Sequence, residues 1–173
     1  MNSKEYLDKI LEKYRGAFDI ESPYSYHDRD YAAYASFSSL SEKYVLVRSA
    51  QLWKTEAFEH TLFVCVEKVD EKLIDEMKSV ISDYMEPEKA RGGEKYPRKD
   101  HMYTYLTVVI ISDGEVSEAV RKAVKSYRFS KSYAFTFRGV ADGRMAVVDL
   151  SRAAVYTNGA ARPIAKMLRE TLQ

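Results

Sequence analysis

Apolar residues recur at a spacing of three and four positions in four separate segments, which predicts four amphipathic helices. We expect the first helix to begin after Asn2 and the second to run from about 71 to 84. A third opens at Ser112, and the last begins near Pro163. Asn2 and Ser112 each precede a glutamate by three residues, which is the spacing of a capping box. Pro87 is expected to end the second helix.

Alternating apolar and polar residues predict strands in the remaining segments. The strand candidates are 31–38, 44–49, 58–69 and 102–111, with a short one at 155–157. A further pair of alternating segments, 132–140 and 144–150, flanks Asp142 and Gly143. Asp-Gly is a dipeptide typical of tight hairpin turns, because both positions need positive φ. We therefore predict a hairpin that turns at Asp142 and Gly143.

The predicted order of elements is α-βββ-α-β-α-ββ-α, which indicates an α+β fold with an α/β-like part. Because a helix joins strands 58–69 and 102–111, we expect these two to be parallel through a right-handed crossover. The other strands are expected to be antiparallel. The prediction is a mixed, mostly antiparallel sheet of five to six strands with about four helices. Residues 1–173 should form a single globular domain with a polar loop at about 86–100.

The composition is that of a folded protein with reduced thiols. Apolar residues make up 46% of the 173 positions and charged residues 31%, so a chain of this length can bury one core. Cys65 is the only cysteine, which excludes an intramolecular disulfide and favours a cytoplasmic location. Charges interrupt each apolar run near the N-terminus, so we expect neither a signal peptide nor a membrane anchor.

The net charge of +1 hides an uneven distribution along the chain. Residues 1–86 carry 11 Lys and Arg against 17 Asp and Glu, whereas residues 87–173 carry 16 against 9. Two interpretations remain open. The halves could attract each other, within one fold or between copies of the chain, or the second half could present a basic face to an anionic partner.

Two basic segments with interleaved aromatic residues are the best functional candidates. The first lies in the predicted polar loop, and the second covers the end of the third helix and the residues after it. Cations beside aromatic rings suit single-stranded nucleic acid or other phosphates. The alternative interpretation is a solvated helix face with its aromatic residues turned inward. The candidate binding residues are Arg91, Lys95, Tyr96, Arg98, Lys99, Arg121, Lys125 and Arg128.

Histidines and acids near the strand ends allow a second hypothesis, a metal-dependent hydrolase. If the two helix-linked strands are parallel neighbours, His60 and His101 begin them at the same edge, with Glu56 or Asp100 as a further ligand. A hydrogen-bonded structural role is the alternative for each histidine, His27 included. Asp70 and Asp113 follow the same strands and could bind a cation, but helix capping explains both positions.

The predicted order α-βββ-α-β resembles that of the restriction-endonuclease-like nucleases. The resemblance implies an acidic residue on the second strand and a carboxylate-x-lysine on the third. Here the third strand ends with Glu67 and Lys68, which are adjacent and project to opposite faces of the sheet. The second strand, YVLVRS, offers no carboxylate. The resemblance is therefore one of topology.

The sequence contains neither a glycine-flanked serine elbow nor a glycine-rich phosphate loop. Our first hypothesis is therefore a non-enzymatic binding domain for an anionic partner, either nucleic acid or another phosphate. The alternatives are the hydrolase or nuclease-like enzyme and a self-associating domain that forms a homo-oligomer. We expect no cofactor and no membrane partner.

Overall fold

A computed structural model describes residues 1–40 and 56–173 of the chain. The predicted strand 44–49 and Trp53 lie outside the described residues. The described helices are α1 (Ser3–Tyr14), α2 (Glu71–Ser79), α3 (Glu118–Ser126) and α4 (Arg162–Glu170). A π-helix, Val80–Ala90, continues α2, and a 3-10 turn, Gly159–Ala161, precedes α4. Among the described residues, no helix is both long and apolar enough to cross a membrane.

Nine strands are described, and seven of them form one mixed sheet. They are β1 (Asp19–Glu21), β2 (Tyr24–Tyr26), β3 (Arg29–Tyr31), β4 (Ala33–Ser38), β5 (Glu56–Val66), β6 (His101–Ser112), β7 (Ser130–Ser132), β8 (Val140–Asp149) and β9 (Ala154–Thr157). The sheet order is β1-β4-β5-β6-β8-β7, with β9 also paired to β8, while β2 and β3 form a separate hairpin. The predicted α+β fold with a mixed sheet is confirmed.

The predicted parallel pairing of β5 and β6 is confirmed. The two strands are parallel because α2 and the π-helix return the chain to the end of the sheet where β5 began. The expectation that all other pairs are antiparallel is wrong for β6 and β8, which are also parallel. The chain between them returns through α3. The segment before β4 contains three further short strands, β1, β2 and β3, that were not among the strand candidates.

Helices cover both faces of the sheet, so the central strand β6 is buried on each side. Leu106, Val108 and Ile110 of β6 face α2, the π-helix and α3. Val109 and Ile111 face α1 and α4. This arrangement follows from the two-residue period of a strand, which sends successive side chains to opposite faces. It explains the nearly continuous apolar run in β6, which is typical of parallel strands covered on both sides.

The helix starts were predicted with mixed success. The capping box at α1 is confirmed, because the Glu5 amide donates to Asn2 Oδ1 at 2.9 Å and the Asn2 amide donates to Glu5 Oε2 at 3.0 Å. The predicted start at Ser112 is wrong, since Ser112 still belongs to β6 and donates its hydroxyl to the Gly114 carbonyl at 2.8 Å. Ser117 caps α3 instead.

Pro87 does not end the second helix, because the helix continues as a π-helix to Ala90. The proline lies inside this wider turn rather than in an α-helix, where its ring would clash with the preceding turn. The polar loop is consequently shorter than predicted, since residues 86–90 are helical and the connection to β6 covers 91–100.

The predicted hairpin turn at Asp142 and Gly143 is also wrong, because both residues lie inside β8. The chain turns earlier, over residues 133–139 between β7 and β8. Gly143 is needed because neighbouring side chains pack against its backbone, and it does not form a turn. A Cβ atom at this position would lie 2.7 Å from Tyr127 Oη and 2.9 Å from Phe129 Cβ. Both distances are too short for a real Cβ atom, so a side chain at this position would have to displace its neighbours.

Candidate functional site

Two loops meet at the edge of the sheet where β6 and β8 begin. We call residues 91–100 and 131–139 together the loop surface. The Arg138 guanidinium donates to the Pro97 carbonyl at 3.2 Å, and His101 Nδ1 lies 2.7 Å from the Arg138 carbonyl. The backbones also approach closely, since a Cβ atom on Gly139 would overlap the Met102 carbonyl oxygen. The two loops therefore form one continuous surface.

The buried carboxylate of Glu86 holds the two loops of this surface to the π-helix. Glu86 projects from the π-helix, is 2% exposed and accepts hydrogen bonds from both loops. Arg91 Nε donates at 2.7 Å, Tyr133 Oη at 2.7 Å and Lys131 Nζ at 3.1 Å. Burial alone would raise the pKa of Glu86, but these hydrogen bonds outweigh burial and hold the pKa below its usual value. Glu86 is thus ionised at neutral pH and links the π-helix to both loops.

Two phenylalanines project from the loop surface into solvent. Phe135 is 95% exposed and Phe137 is 85% exposed. They sit on a left-handed turn in which Ala134, Phe135 and Thr136 have φ values of 48°, 54° and 75°. Such a conformation costs about 1–2 kcal/mol for each residue that is not glycine. Exposed rings on a strained turn do not contribute to the core, and strain of this kind is concentrated at binding sites.

A shallow cleft of about 430 Å³ lies between the two loops. The end of the loop 91–100 and the start of β6 line part of it, and the left-handed turn and the start of β8 line the rest. Lys99 and Phe137 both line this cleft. The lining residues are Lys99, Asp100, His101, Met102, Thr136, Phe137, Gly139 and Val140.

The basic residues of the loop surface are only partly neutralised. Its two segments contain six Lys and Arg but only two acidic residues. Arg91 pairs with Glu86, and Arg98 Nη2 lies 3.3 Å from Glu56 Oε1, although Arg98 remains 68% exposed. Lys95 stands over the ring of Tyr96 at 5.3 Å. Among the described residues, neither Lys95 nor Lys99 forms an ion pair.

In the described part of the chain, the candidate residues Arg121, Lys125 and Arg128 of the second segment form no hydrogen bond or ion pair with the loop surface. Arg121 stacks over the ring of Tyr156 at 5.5 Å, and Arg128 donates to the carbonyls of Lys125 and Tyr127 at 2.8 Å each. Lys125 is exposed. The residues that link this segment to the loop surface are Lys131 and Tyr133, through Glu86.

The structure therefore divides the eight predicted binding residues into two groups. The loop surface contains Arg91, Lys95, Tyr96, Arg98 and Lys99, while Arg121, Lys125 and Arg128 lie around the end of α3. Sequence reasoning missed Phe135, Phe137 and Arg138 as members of the surface. Three aromatic residues at alternate positions, 133, 135 and 137, indicated a strand, and only the positive φ values separate the turn from that pattern.

The three histidines have separate partners. His27 bonds Glu88 and stacks on Tyr84 with ring centroids 3.9 Å apart. His60 Nδ1 lies 2.6 Å from Tyr34 Oη, and burial lowers the pKa of His60 to about 4.

His101 lies opposite Glu56 in the parallel register, whereas His60 lies opposite Leu106, so the two histidines occupy different levels of the sheet. Residues 1–40 and 56–173 contain no group of three His, Cys, Asp or Glu that could hold a metal ion.

The two candidate cation-binding aspartates both hold helix N-termini. Asp70 caps α2 by accepting from the Leu73 amide at 2.8 Å. Asp113 accepts from the amide and hydroxyl of Ser3, at 2.7 Å and 2.8 Å, and so fixes the start of α1. At the end of β5, Glu67 and Lys68 lie just beyond the strand and are exposed.

A buried polar cluster on the α1 face of the sheet was not predicted. Glu59 Oε2 lies 3.3 Å from Arg144 Nη1, and the Arg144 guanidinium stacks 3.3 Å above the Tyr105 ring. Burial raises the pKa of Glu59, while Arg144 pulls it in the opposite direction. Tyr14 Oη, Thr61 Oγ1 and Arg144 Nε are buried without a hydrogen-bond partner among the described residues. Because these atoms are closed to solvent, the cluster is an internal feature of the sheet.

A larger open cleft of about 750 Å³ lies between the β2–β3 hairpin and α2. Its charges are paired, because Arg29 Nη1 lies 2.8 Å from Glu76 Oε2, and Lys72 lies 3.9 Å from the same carboxylate. The stacked rings of His27 and Tyr84 occupy another part of the wall. The cleft therefore presents few free polar groups to a ligand.

These features define an α+β protein whose mixed sheet carries a basic, aromatic loop surface at one edge. The chain belongs to the family described as "Domain of unknown function (DUF8052)", whose model matches residues 2–170. No curated protein and no solved structure matches the chain.

Proposed function

We propose that this protein is a binding domain for an anionic partner and that it contacts this partner with the loop surface. The observation that supports the proposal most strongly is the joining of two basic loops around Glu86, with the exposed side chains of Lys95 and Lys99 directed to solvent. The Glu86 and Glu56 carboxylates pair with Arg91 and Arg98 and so position the loop backbone. The ammonium groups of Lys95 and Lys99 form no ion pair among the described residues and can therefore contact an anionic ligand.

Binding is favoured over hydrolysis because the groups that a hydrolase needs are occupied elsewhere. Each histidine is held by a hydrogen bond to a different part of the chain. The metal-dependent hydrolase or nuclease and the self-associating domain remain predictions. Elemental analysis tests the first, and the measured mass at different ionic strengths tests the second. A cytoplasmic location also belongs to this proposal, on the basis of the single cysteine.

The proposal predicts salt-dependent binding of a simple polyanion. Each phosphate that a lysine neutralises releases a counterion, so affinity falls as salt rises. We expect wild-type protein to bind inorganic polyphosphate at 50 mM salt in isothermal titration calorimetry, and more weakly at 200 mM. The variant Lys95→Ala/Lys99→Ala should reduce the slope of log affinity against log salt by about 1.4–1.8, which corresponds to two lost contacts.

The matched control is Lys4→Ala/Lys9→Ala, which removes two exposed lysines from α1 on the other face of the sheet. It changes the net charge by the same amount but leaves the loop surface intact, so the slope should stay at the wild-type value. Equal weakening by both variants, or absence of binding at 50 mM salt, would show that the loop surface is not an anion-binding site.

A further inference from the structure

We infer that the anionic partner is a single-stranded nucleic acid whose bases stack on Phe135 and Phe137. This inference rests on the proposed function and adds the chemical class of the ligand. Its basis is the combination of two exposed rings with cations in one surface, because proteins that bind single strands place bases on aromatic side chains and backbone phosphates on Lys and Arg.

The left-handed turn fixes the two rings outside the core. Its backbone is closed by hydrogen bonds from the Phe137 amide to the Ala134 carbonyl at 3.1 Å and from the Arg138 amide to the Tyr133 carbonyl at 3.1 Å. The Tyr133 hydroxyl donates to Glu86, so one end of the turn is attached to the buried anchor. The rings are therefore presented by a held backbone, which lowers the ordering cost of stacking.

Cations occur in the same loop and at the same cleft as the rings. Arg138 follows Phe137 directly, Lys131 lies at the base of the same loop, and Lys99 lines the same cleft as Phe137. The cleft volume of about 430 Å³ falls within the usual range of small-ligand sites, about 300–1,000 Å³. A base stacked on Phe137 would thus lie at the cleft that Lys99 also lines.

The observations favour a single strand over a duplex or a membrane. The bases of a duplex are already stacked on each other, so they cannot reach the rings. A membrane-binding face has a continuous apolar stripe, whereas here Arg138 follows Phe137 in sequence and Lys99 lines the same cleft. The exposed Met102 is the other large apolar side chain at this cleft.

The test compares three probes by fluorescence anisotropy and calorimetry at 50 mM salt. They are a single-stranded thymidine 12-mer, a duplex of the same length and inorganic polyphosphate. Two variants of the full chain separate stacking from apolar contact: Phe135→Ala/Phe137→Ala removes the rings, and Phe135→Leu/Phe137→Leu keeps apolar bulk without a π face. Since both side chains are exposed, the variants should fold, and circular dichroism checks this.

We expect the 12-mer to bind more tightly than the duplex. Each lost ring should weaken binding of the 12-mer roughly 5- to 150-fold. The leucine variant should weaken it nearly as much as the alanine variant. Polyphosphate binding should change in neither, because polyphosphate has no bases to stack.

Other results separate the two proposals. If the ring variants bind the 12-mer like wild type while Lys95→Ala/Lys99→Ala weakens it, the stacking inference is wrong and the anion-binding function stands. If neither the 12-mer nor polyphosphate binds, both are wrong. A third outcome would assign the rings to membranes. In that case vesicles of phosphatidylserine and phosphatidylcholine bind the wild type and the leucine variant but not the alanine variant, and the affinity for the 12-mer is the same in all three proteins.

Discussion

Replacing Glu86 by glutamine tests whether this carboxylate holds the loop surface to the rest of the protein. Glutamine keeps the size of the side chain but removes its charge and replaces one acceptor oxygen with a donor. Tyr133 and Arg91 both donate to Oε1, and Lys131 donates to Oε2. Glu86→Gln therefore weakens each of these hydrogen bonds and places an amide group against the cations.

The size of the effect follows from the exposure of each partner. Hydrogen bonds to a charged group contribute about 1.5–3 kcal/mol, against about 1 kcal/mol for neutral pairs. Loss of charge should thus cost about 0.5–2 kcal/mol for each of the two bonds from Arg91 and Tyr133. Lys131 is 47% exposed, so its contribution is screened and close to zero. We expect the free energy of unfolding to fall by about 1–4 kcal/mol at pH 7.

The same substitution predicts a pH dependence with a defined sign. The pKa of Glu86 lies below its usual value in the folded protein, so its contribution is complete above the unfolded pKa and is lost as pH falls through the folded pKa. Wild type and Glu86→Gln should therefore differ most near neutral pH. Their difference should shrink below about pH 4.

Urea denaturation followed by circular dichroism measures both quantities. The midpoint should shift while the slope stays constant, because the surface exposed on unfolding does not change. Glu118→Gln is the matched control, since Glu118 and its partner Lys122 are both exposed on α3. It should cost at most about 0.5 kcal/mol. A loss below this level for Glu86→Gln, or a loss independent of pH, would refute the anchoring role.

Two further predictions concern the interior. Gly143→Ala should cost about 1–3 kcal/mol, because the added Cβ meets Tyr127 Oη at 2.7 Å and Phe129 Cβ at 2.9 Å; unchanged stability in a thermal melt would show that these neighbours move freely. Arg144→Met should cost about 3–5 kcal/mol at pH 7, because it leaves Glu59 buried and unpaired. This loss should diminish at acidic pH as Glu59 takes up a proton, and Glu59→Gln/Arg144→Met should recover most of it. A double variant no more stable than the single one would contradict the pairing.

Features that depend on neighbouring residues were predictable from the sequence. The capping box of α1 needs only Asn2 and Glu5, which lie three residues apart, and the apolar spacing of the helix gives its buried face. The parallel pairing of β5 and β6 follows from the intervening helix. Local chemistry determines each of these features, so the pattern was sufficient.

Features that depend on distant contacts could not be predicted. Asp142 and Gly143 have the composition of a tight turn, yet they extend β8 because β6 pairs with it on one side and Phe129 and Tyr127 pack against Gly143. Similarly, Pro87 is a helix breaker in an α-helix but lies within a π-helix here. Tertiary packing overrides local preference at both places.

The candidate site was predictable in its charge but not in its shape. Lys95, Arg98 and Lys99 are visible as a basic loop in the sequence. The exposure of Phe135 and Phe137 depends on three consecutive positive φ values at residues that rarely adopt them. Nothing in the local sequence requires that conformation.

The most direct test of the central claim is a map of where an anion binds. Amide chemical shifts of the labelled protein, followed during titration with inorganic polyphosphate at low salt, report the contact residue by residue. We predict that the largest shifts fall in 91–100 and 131–139 and that they disappear at high salt. Shifts of equal size on α1, or shifts centred on the cleft between the β2–β3 hairpin and α2, would contradict the assignment of the loop surface.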